Sequence, residues 1–225
     1  MSKLSGQLKG LINDARVQPH TTPAPENAQT LYIQTARDAT AKGVGFRAWL
    51  CLTAATTVTM NSPDSLLALH ATAALLNPPA SVYAAELIRE VALKCIGFNG
   101  KKLAQAHPDL PVHIIEREYG CLFADPPGPR PATVGRVLTS IIAIAVLRAQ
   151  TGAGPQVVSH IFGLRKAFED GSFQTEDEES IKGCRWLASN EGCIWLLVMI
   201  DCISTVISTG GRTTLKPDTS QRSKL

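Results

Sequence analysis

The chain has 225 residues, 44% hydrophobic and 18% charged, enough to bury a sizeable core and unlike a disordered or collagen-like polymer. Aromatic residues are only 5%, and Ala, Leu, Ile and Thr fill the apolar share, which suits close-packed helices better than aromatic-rich strands. The net charge is +3 and the 22 basic residues are scattered, so no nucleic-acid footprint is visible.

The N-terminal stretch lacks an apolar signal core, so no secretory signal is expected. Leu4, Leu8, Leu11 and Ile12 share one helical face, which leaves a mitochondrial presequence open; Asp14 and a single Arg in that stretch stand against it. Residues 18–28 carry three prolines and predict a linker, so 1–29 is expected to be a flexible segment. Thr30–Met60 predicts one or two helices, broken at Gly43 and Gly45, with Trp49, Leu50 and Leu52 on an apolar face. Ser62 and Pro63 fit the cap and first position of the next helix, which runs through Leu66, Leu69, His70 and Ala73–Leu76 to a stop at Asn77-Pro78-Pro79. Ala80–Phe98 predicts another helix, with Glu86–Arg89 and Glu90–Lys94 at ion-pair spacing, ended by Asn99-Gly100.

Lys101–His107 predicts a short helical piece, His107–Pro111 a turn, and Val112–Tyr119 is ambiguous. Asp125–Pro131 holds four prolines and marks a lobe boundary. The expected organisation is a first helical lobe at 30–124, a Pro-rich linker at 125–132, a second lobe at 133–209 and a disordered tail at 210–225. Thr133–Gln150 is apolar nearly all round, so it should be central, with part of its cover supplied by another subunit. Pro155 opens a helix that should turn Val157, Val158, Ile161, Leu164 and Phe168 inward and end at Gly171. Thr175-x-x-Glu178 reads as a capping box for a helix to about Ser189, with Glu176–Glu179 as a solvated helix N-terminus. Ser189-Asn190 caps a final helix through Ser208. No strand alternation is evident, so the predicted class is all-α. The richest apolar runs, Val137–Leu147 and Cys193–Ile207, are short or carry Asp201, so no membrane span is expected.

The six cysteines form no C-x-x-C pair and match no zinc spacing, so they are expected to be reduced, buried side chains. No cofactor motif is present. His107 and His113 with Glu116 and Glu118 are metal-ligating types, but nothing in the turn at Pro108 and Pro111 makes them converge, so no metal is expected. The last residues, Ser223-Lys224-Leu225, match a receptor-read peroxisomal address. A given tripeptide ends roughly 1 in 8,000 random chains, which favours an address over an ordinary basic tail. An import receptor is therefore an expected partner, with cytosol or mitochondrion as alternative locations.

Residues 133–192 resemble the carboxymuconolactone decarboxylase and alkyl hydroperoxidase D superfamily. The resemblance is carried by Ala149, Thr151-Gly152, Pro155-Gln156, Ser159-His160, Gly163, Ala167, Gly171 and Glu176. Glu86–Gly100 and Ala106–Ile115 are similar to fungal members, and the likeness spans about residues 30–208. It implies an all-helical bundle of two related lobes that forms a homo-oligomer. The peroxidase members carry Glu…Cys-x-x-Cys-x-x-x-His, in which one thiolate attacks peroxide and the second resolves it. Counted back from His160, the cysteine positions fall on Ala153 and Gln156, and the glutamate on Ser140 or Ile141. The histidine is retained without the thiols or the carboxylate, so a dithiol mechanism cannot run there.

Two readings of different class follow. One is an enzyme in which His160, with Ser159 and Gln156 as neighbours, does acid/base work on a small organic acid or lactone, as the decarboxylase branch implies. The other is a non-catalytic oligomeric protein that binds a small molecule. A third uses Cys95 as a lone peroxidatic thiol, activated by the adjacent Lys94 near Glu86 and Glu90. Against each stands a structural role: His160 as a core or interface residue, and Cys95 as a buried thiol with Lys94 pointing to water.

Overall fold

The computed structural model describes residues 21–78, 84–92, 94, 95 and 134–211, and among them all regular structure is helical. The expected short helix at 101–107, the turn at 108–111, the 125–132 linker, His107, His113, Glu116, Glu118, Cys121 and Ser223-Lys224-Leu225 lie outside the described residues.

Helix α1 (Ala28–Ala41) buries Ala28, Leu31, Tyr32, Thr35 and Ala39, a stripe at helical spacing. It ends in a Schellman turn. The Val44 amide donates to the Ala39 carbonyl (2.9 Å) and the Gly43 amide to the Thr40 carbonyl (2.9 Å), with Gly43 at φ +74°. Helix α2 (Phe46–Thr59) is buried on nearly every side from Arg47 to Thr57. It carries four hydroxyls toward its C-terminal end, and each bonds back one turn: Thr53 to the Trp49 carbonyl, Thr56 to Leu52, Thr57 to Thr53 and Thr59 to Ala55, at 2.7–2.9 Å. Satisfied in this way, threonine enters a core without needing a partner from another element, though Thr57 Oγ1 also meets the Tyr32 hydroxyl of α1 (2.8 Å). Helix α3 (Pro63–Leu76) starts where Ser62 and Pro63 place it, but the Ser62 hydroxyl donates to Ser65 Oγ (2.7 Å) rather than capping the backbone. Residues 84–92 are helical and bury Ala84, Leu87, Ile88 and Val91. Cys95 continues that stripe, Lys94 is buried beside it rather than in water, and Arg89 lies 3.8 Å from Glu90.

Helix α4 (Arg136–Ala149) is buried from Val137 to Leu147, save for a half-buried Thr139. Helix α5 (Gly154–Glu169) returns antiparallel: Arg136 at the start of α4 pairs with Asp170 just past α5 (3.3 Å). The link turns on Thr151 (φ 63°) and Gly152 (φ 68°). The cover of α4 comes from α2, α5 and α8 of the same chain, so its burial does not require a second subunit. On α5, Val157, Leu164 and Ala167 are buried and Ile161 and Phe168 half-buried, but Val158 is exposed, as is Phe162.

The capping box expected at Thr175 is displaced by two residues. Asp177 caps helix α6 (Glu178–Ile181), accepting from the Ser180 amide (3.0 Å) and hydroxyl (2.6 Å). Glu176 is not solvated at that terminus. Its carboxylate accepts the Val137 amide (2.7 Å) and so caps α4 from across the chain. Gly183 (φ +72°) divides α6 from α7 (Cys184–Leu187), so the single helix expected to Ser189 is two short ones. Helix α8 (Asn190–Ser208) is capped by Ser189, whose hydroxyl accepts the Gly192 amide (3.0 Å). With 19 residues and a mean hydropathy of 1.7, α8 is long and apolar enough to cross a membrane by length and composition. It instead lays Leu196, Met199, Ile200, Ile203, Val206 and Ile207 into the core, and its outward Asp201 forms a two-pronged pair with Arg148 (2.8 and 2.6 Å).

Two boundaries of the expected organisation shift. Thr22 donates its amide to the Asn61 carbonyl (2.8 Å) and its hydroxyl to the Met60 carbonyl (2.9 Å), so the chain is pinned from there, ahead of residue 30. Gly210 and Gly211 close α8 in a second Schellman turn and belong to the helix end rather than the tail. Residues of both expected lobes share one core, in which α2 packs directly on α4.

Candidate functional site

His160 sits half-buried on α5. Gln156, one turn earlier, shares its face, and Gln156 Oε1 is buried with no hydrogen-bond partner among the described residues. Ser159 is exposed and lies about 100° round the helix from His160. The sequence thus brings Gln156 and His160 to one face and leaves Ser159 off it. Where the peroxidase cysteines would stand, Ala153 is buried at the cap of α5 and Gln156 lines the first turn. At the glutamate position, Ser140 donates to the Arg136 carbonyl of its own helix (3.0 Å) and faces Gly163, and Ile141 is wholly buried. Those positions therefore hold neither the thiols nor the carboxylate of the peroxidase pattern.

Among the described residues, four of the five thiols are enclosed. Cys51, Cys95, Cys184 and Cys193 are buried and Cys202 is half-buried, all unbridged. Burial pushes the Cys95 thiol up to about 12, with the neighbouring Cys51 adding to the rise. Lys94 does not reverse this. Its charge acts on Cys51, where burial still prevails and the thiol also stands at about 12. A protonated, enclosed sulfur is a poor nucleophile, so the surroundings of Cys95 suit the buried-thiol role set against it. Among the described residues, no three metal-ligating side chains gather.

A concave site opens elsewhere. A cleft of about 500 Å³ lies at the junction of α1 and α2, bounded by α6. Its apolar wall is Ala36, Ala39, Val44, Phe46 and Trp49, with the Phe46 and Trp49 rings 5.5 Å apart. The Trp49 indole N–H is committed to Thr35 Oγ1 (3.1 Å), which fixes the wall. The rim carries Arg37, Lys182 and Glu179. Two glycines make the shape possible. A side chain at Gly45 would meet Lys182 Cβ at 2.9 Å, and one at Gly183 would strike the backbone of Gly43 and Val44. The Gly45 amide donates to the Lys182 carbonyl (3.0 Å), locking the α1–α2 turn to the α6–α7 turn. Nearby, Arg47, almost wholly buried, holds Asp177 at 3.0 Å. Burial raises the Asp177 carboxyl, but the Ser180 hydroxyl and amide and the Arg47 charge together bring it below the ordinary carboxylate value. No residue of α5 lines this cleft, so it is separate from His160.

No family model, curated protein or solved structure matches this chain.

Proposed function

We propose that this chain is a peroxisome-addressed helical protein of the alkyl hydroperoxidase D and carboxymuconolactone decarboxylase kind that binds a small molecule and has no thiol-based peroxidase chemistry. The observation that carries this reading is the state of the sulfur. Ala153 and Gln156 occupy the dithiol positions, and Cys95 is held at about 12 inside the core. Binding is favoured over turnover because the cleft lies at α1–α2 and has no general acid/base histidine among its lining residues.

A second reading keeps His160 as an acid/base group toward a small organic acid or lactone. It is favoured by the orphaned Gln156 Oε1 on the same face, which can accept from a substrate hydroxyl. The resemblance also implies a second copy of the chain as partner. The exposed Val158 and Phe162 of α5 and Ile194 and Val198 of α8 are the apolar side chains available for it. The test is turnover. Purified full-length chain, given cumene hydroperoxide with dithiothreitol, should consume peroxide no faster than buffer. Thiol-dependent consumption abolished by alkylation would overturn the proposal. Conversion of a lactone or β-keto acid that is lost in a His160→Gln variant whose melting temperature matches the parent's would move the function to the second reading.

A further inference from the structure

We infer that the α1–α2 cleft is a binding site for an amphipathic organic monoanion, a carboxylate joined to an aromatic or branched alkyl body. This rests on the binding reading above and names its ligand class. The volume of about 500 Å³ is that of a small-molecule site rather than a packing defect. Its inner wall, Val44, Phe46 and Trp49, offers carbon and ring faces and no titratable group. That half selects an apolar body.

The rim selects charge. Arg37 and Lys182 stand on opposite elements, α1 and the end of α6, and neither is held in an ion pair among the described residues. The other cation beside the site, Arg47, is already committed to Asp177. A third positive element is the start of α2. Its cap residue is Gly45, which has no side chain to accept the first-turn amides, and both Gly45 and Phe46 line the cleft. A helix N-terminus left open beside two cations favours an anion. Glu179, the one carboxylate on the rim, offsets one cation and leaves a net positive charge, which limits the ligand to a single negative charge and disfavours a dianion. With its carboxylate between Arg37 and Lys182, the ligand lays its body on the Phe46–Trp49 wall.

The experiment compares 4-phenylbutyrate with the neutral 4-phenylbutan-1-ol, by calorimetry and by amide shifts of Gly43 and Gly45, using the full-length chain. The expected result is one saturable site with the anion bound about tenfold more tightly, the scale of a charge-assisted contact partly exposed to water. Arg37→Gln with Lys182→Gln should bring the two ligands within about twofold, chiefly by weakening the acid, and leave the melting temperature unchanged, since both side chains are exposed. Raising salt to about 0.5 M should narrow the same gap in the native chain. Equal binding of acid and alcohol overturns the ligand class and leaves the binding reading standing. Shifts confined to residues outside the cleft overturn the site. No saturable binding of either probe overturns both the site and the binding reading. Chemical change in the recovered probe overturns the binding reading alone.

Discussion

Replacing Gly183 with Ala probes the backbone contact on which the cleft depends. Two costs add at that position. Gly183 has φ +72°, and an L-residue held in the left-handed region costs about 1–2 kcal/mol. The new Cβ would also lie 2.6 Å from Val44 Cα and closer still to the Gly43 carbonyl oxygen. Those are backbone atoms, so relief requires the α1–α2 turn to move off the α6–α7 turn, a forced fit of about 1–3 kcal/mol. The sum is about 2–5 kcal/mol, or a fall in melting temperature of about 4–20 °C for a chain of this size. Gly43→Ala is the control. Its φ is +74°, but nothing lies within 4 Å of a Cβ there, so it carries the conformational cost alone. The loss of unfolded-chain entropy on replacing Gly by Ala is common to both and cancels in the comparison. Urea unfolding of the two variants gives the difference directly, and Gly183→Ala should be the less stable by about 1–3 kcal/mol. If both lose the same stability, the close approach of the two turns is refuted.

Ile144→Ala should cost about 2–5 kcal/mol, because Ile144 is wholly buried between helices that cannot all close on the void; a urea midpoint within error of the parent would contradict the packing of α4. Burial holds the Glu176 carboxyl above its ordinary value, so the folded state binds that proton more tightly and stability falls as pH rises from about 4.5 through the raised value. Asp177 acts in the opposite sense, contributing stability above about 3.8 that is lost as pH falls through its lowered value. Glu176→Gln should flatten the first limb and keep the second, and an unchanged midpoint-against-pH curve would sink the assignment. Removal of Ser223-Lys224-Leu225, or a tag placed after Leu225, should leave folding intact and shift the protein from peroxisomes to cytosol in cell imaging. A peroxisomal signal that persists without the tripeptide would end that reading.

Local punctuation was legible in the sequence because it acts over a few residues. Gly43 and Gly45 parted α1 from α2, Ser62-Pro63 opened α3 and Ser189 capped α8. What depends on distant chain was not. Glu176 looked like part of a solvated acidic run because nothing nearby in sequence says that the start of α4 lies within reach of its carboxylate. The central place of α2 was hidden by its threonines, which count as polar until each is seen to satisfy its hydroxyl within the helix. The alternative that put Lys94 in water rested on its charge alone, and Val158 was assigned to the core from its apolarity alone. The cleft gathers residues from 36–49, 76–77 and 179–182, so no single window of sequence could display it. His160 was conspicuous for the contrary reason, since it stands in a compact run of motif residues.

The enclosed thiols give the molecule a set of internal clocks. Cys51 on α2, Cys95 beyond the 84–92 helix, and Cys184 on α7 meet reagent only when their own part of the core opens. The rate at which an alkylating reagent marks each one, under conditions that keep the chain folded, is therefore the opening rate or opening equilibrium of that region rather than the reactivity of the sulfur. Among the described residues, half-buried Cys202 sets the fast end of the scale. The order of labelling, read by mass spectrometry of peptides, becomes a map of which helices leave the core first, obtained without altering a residue.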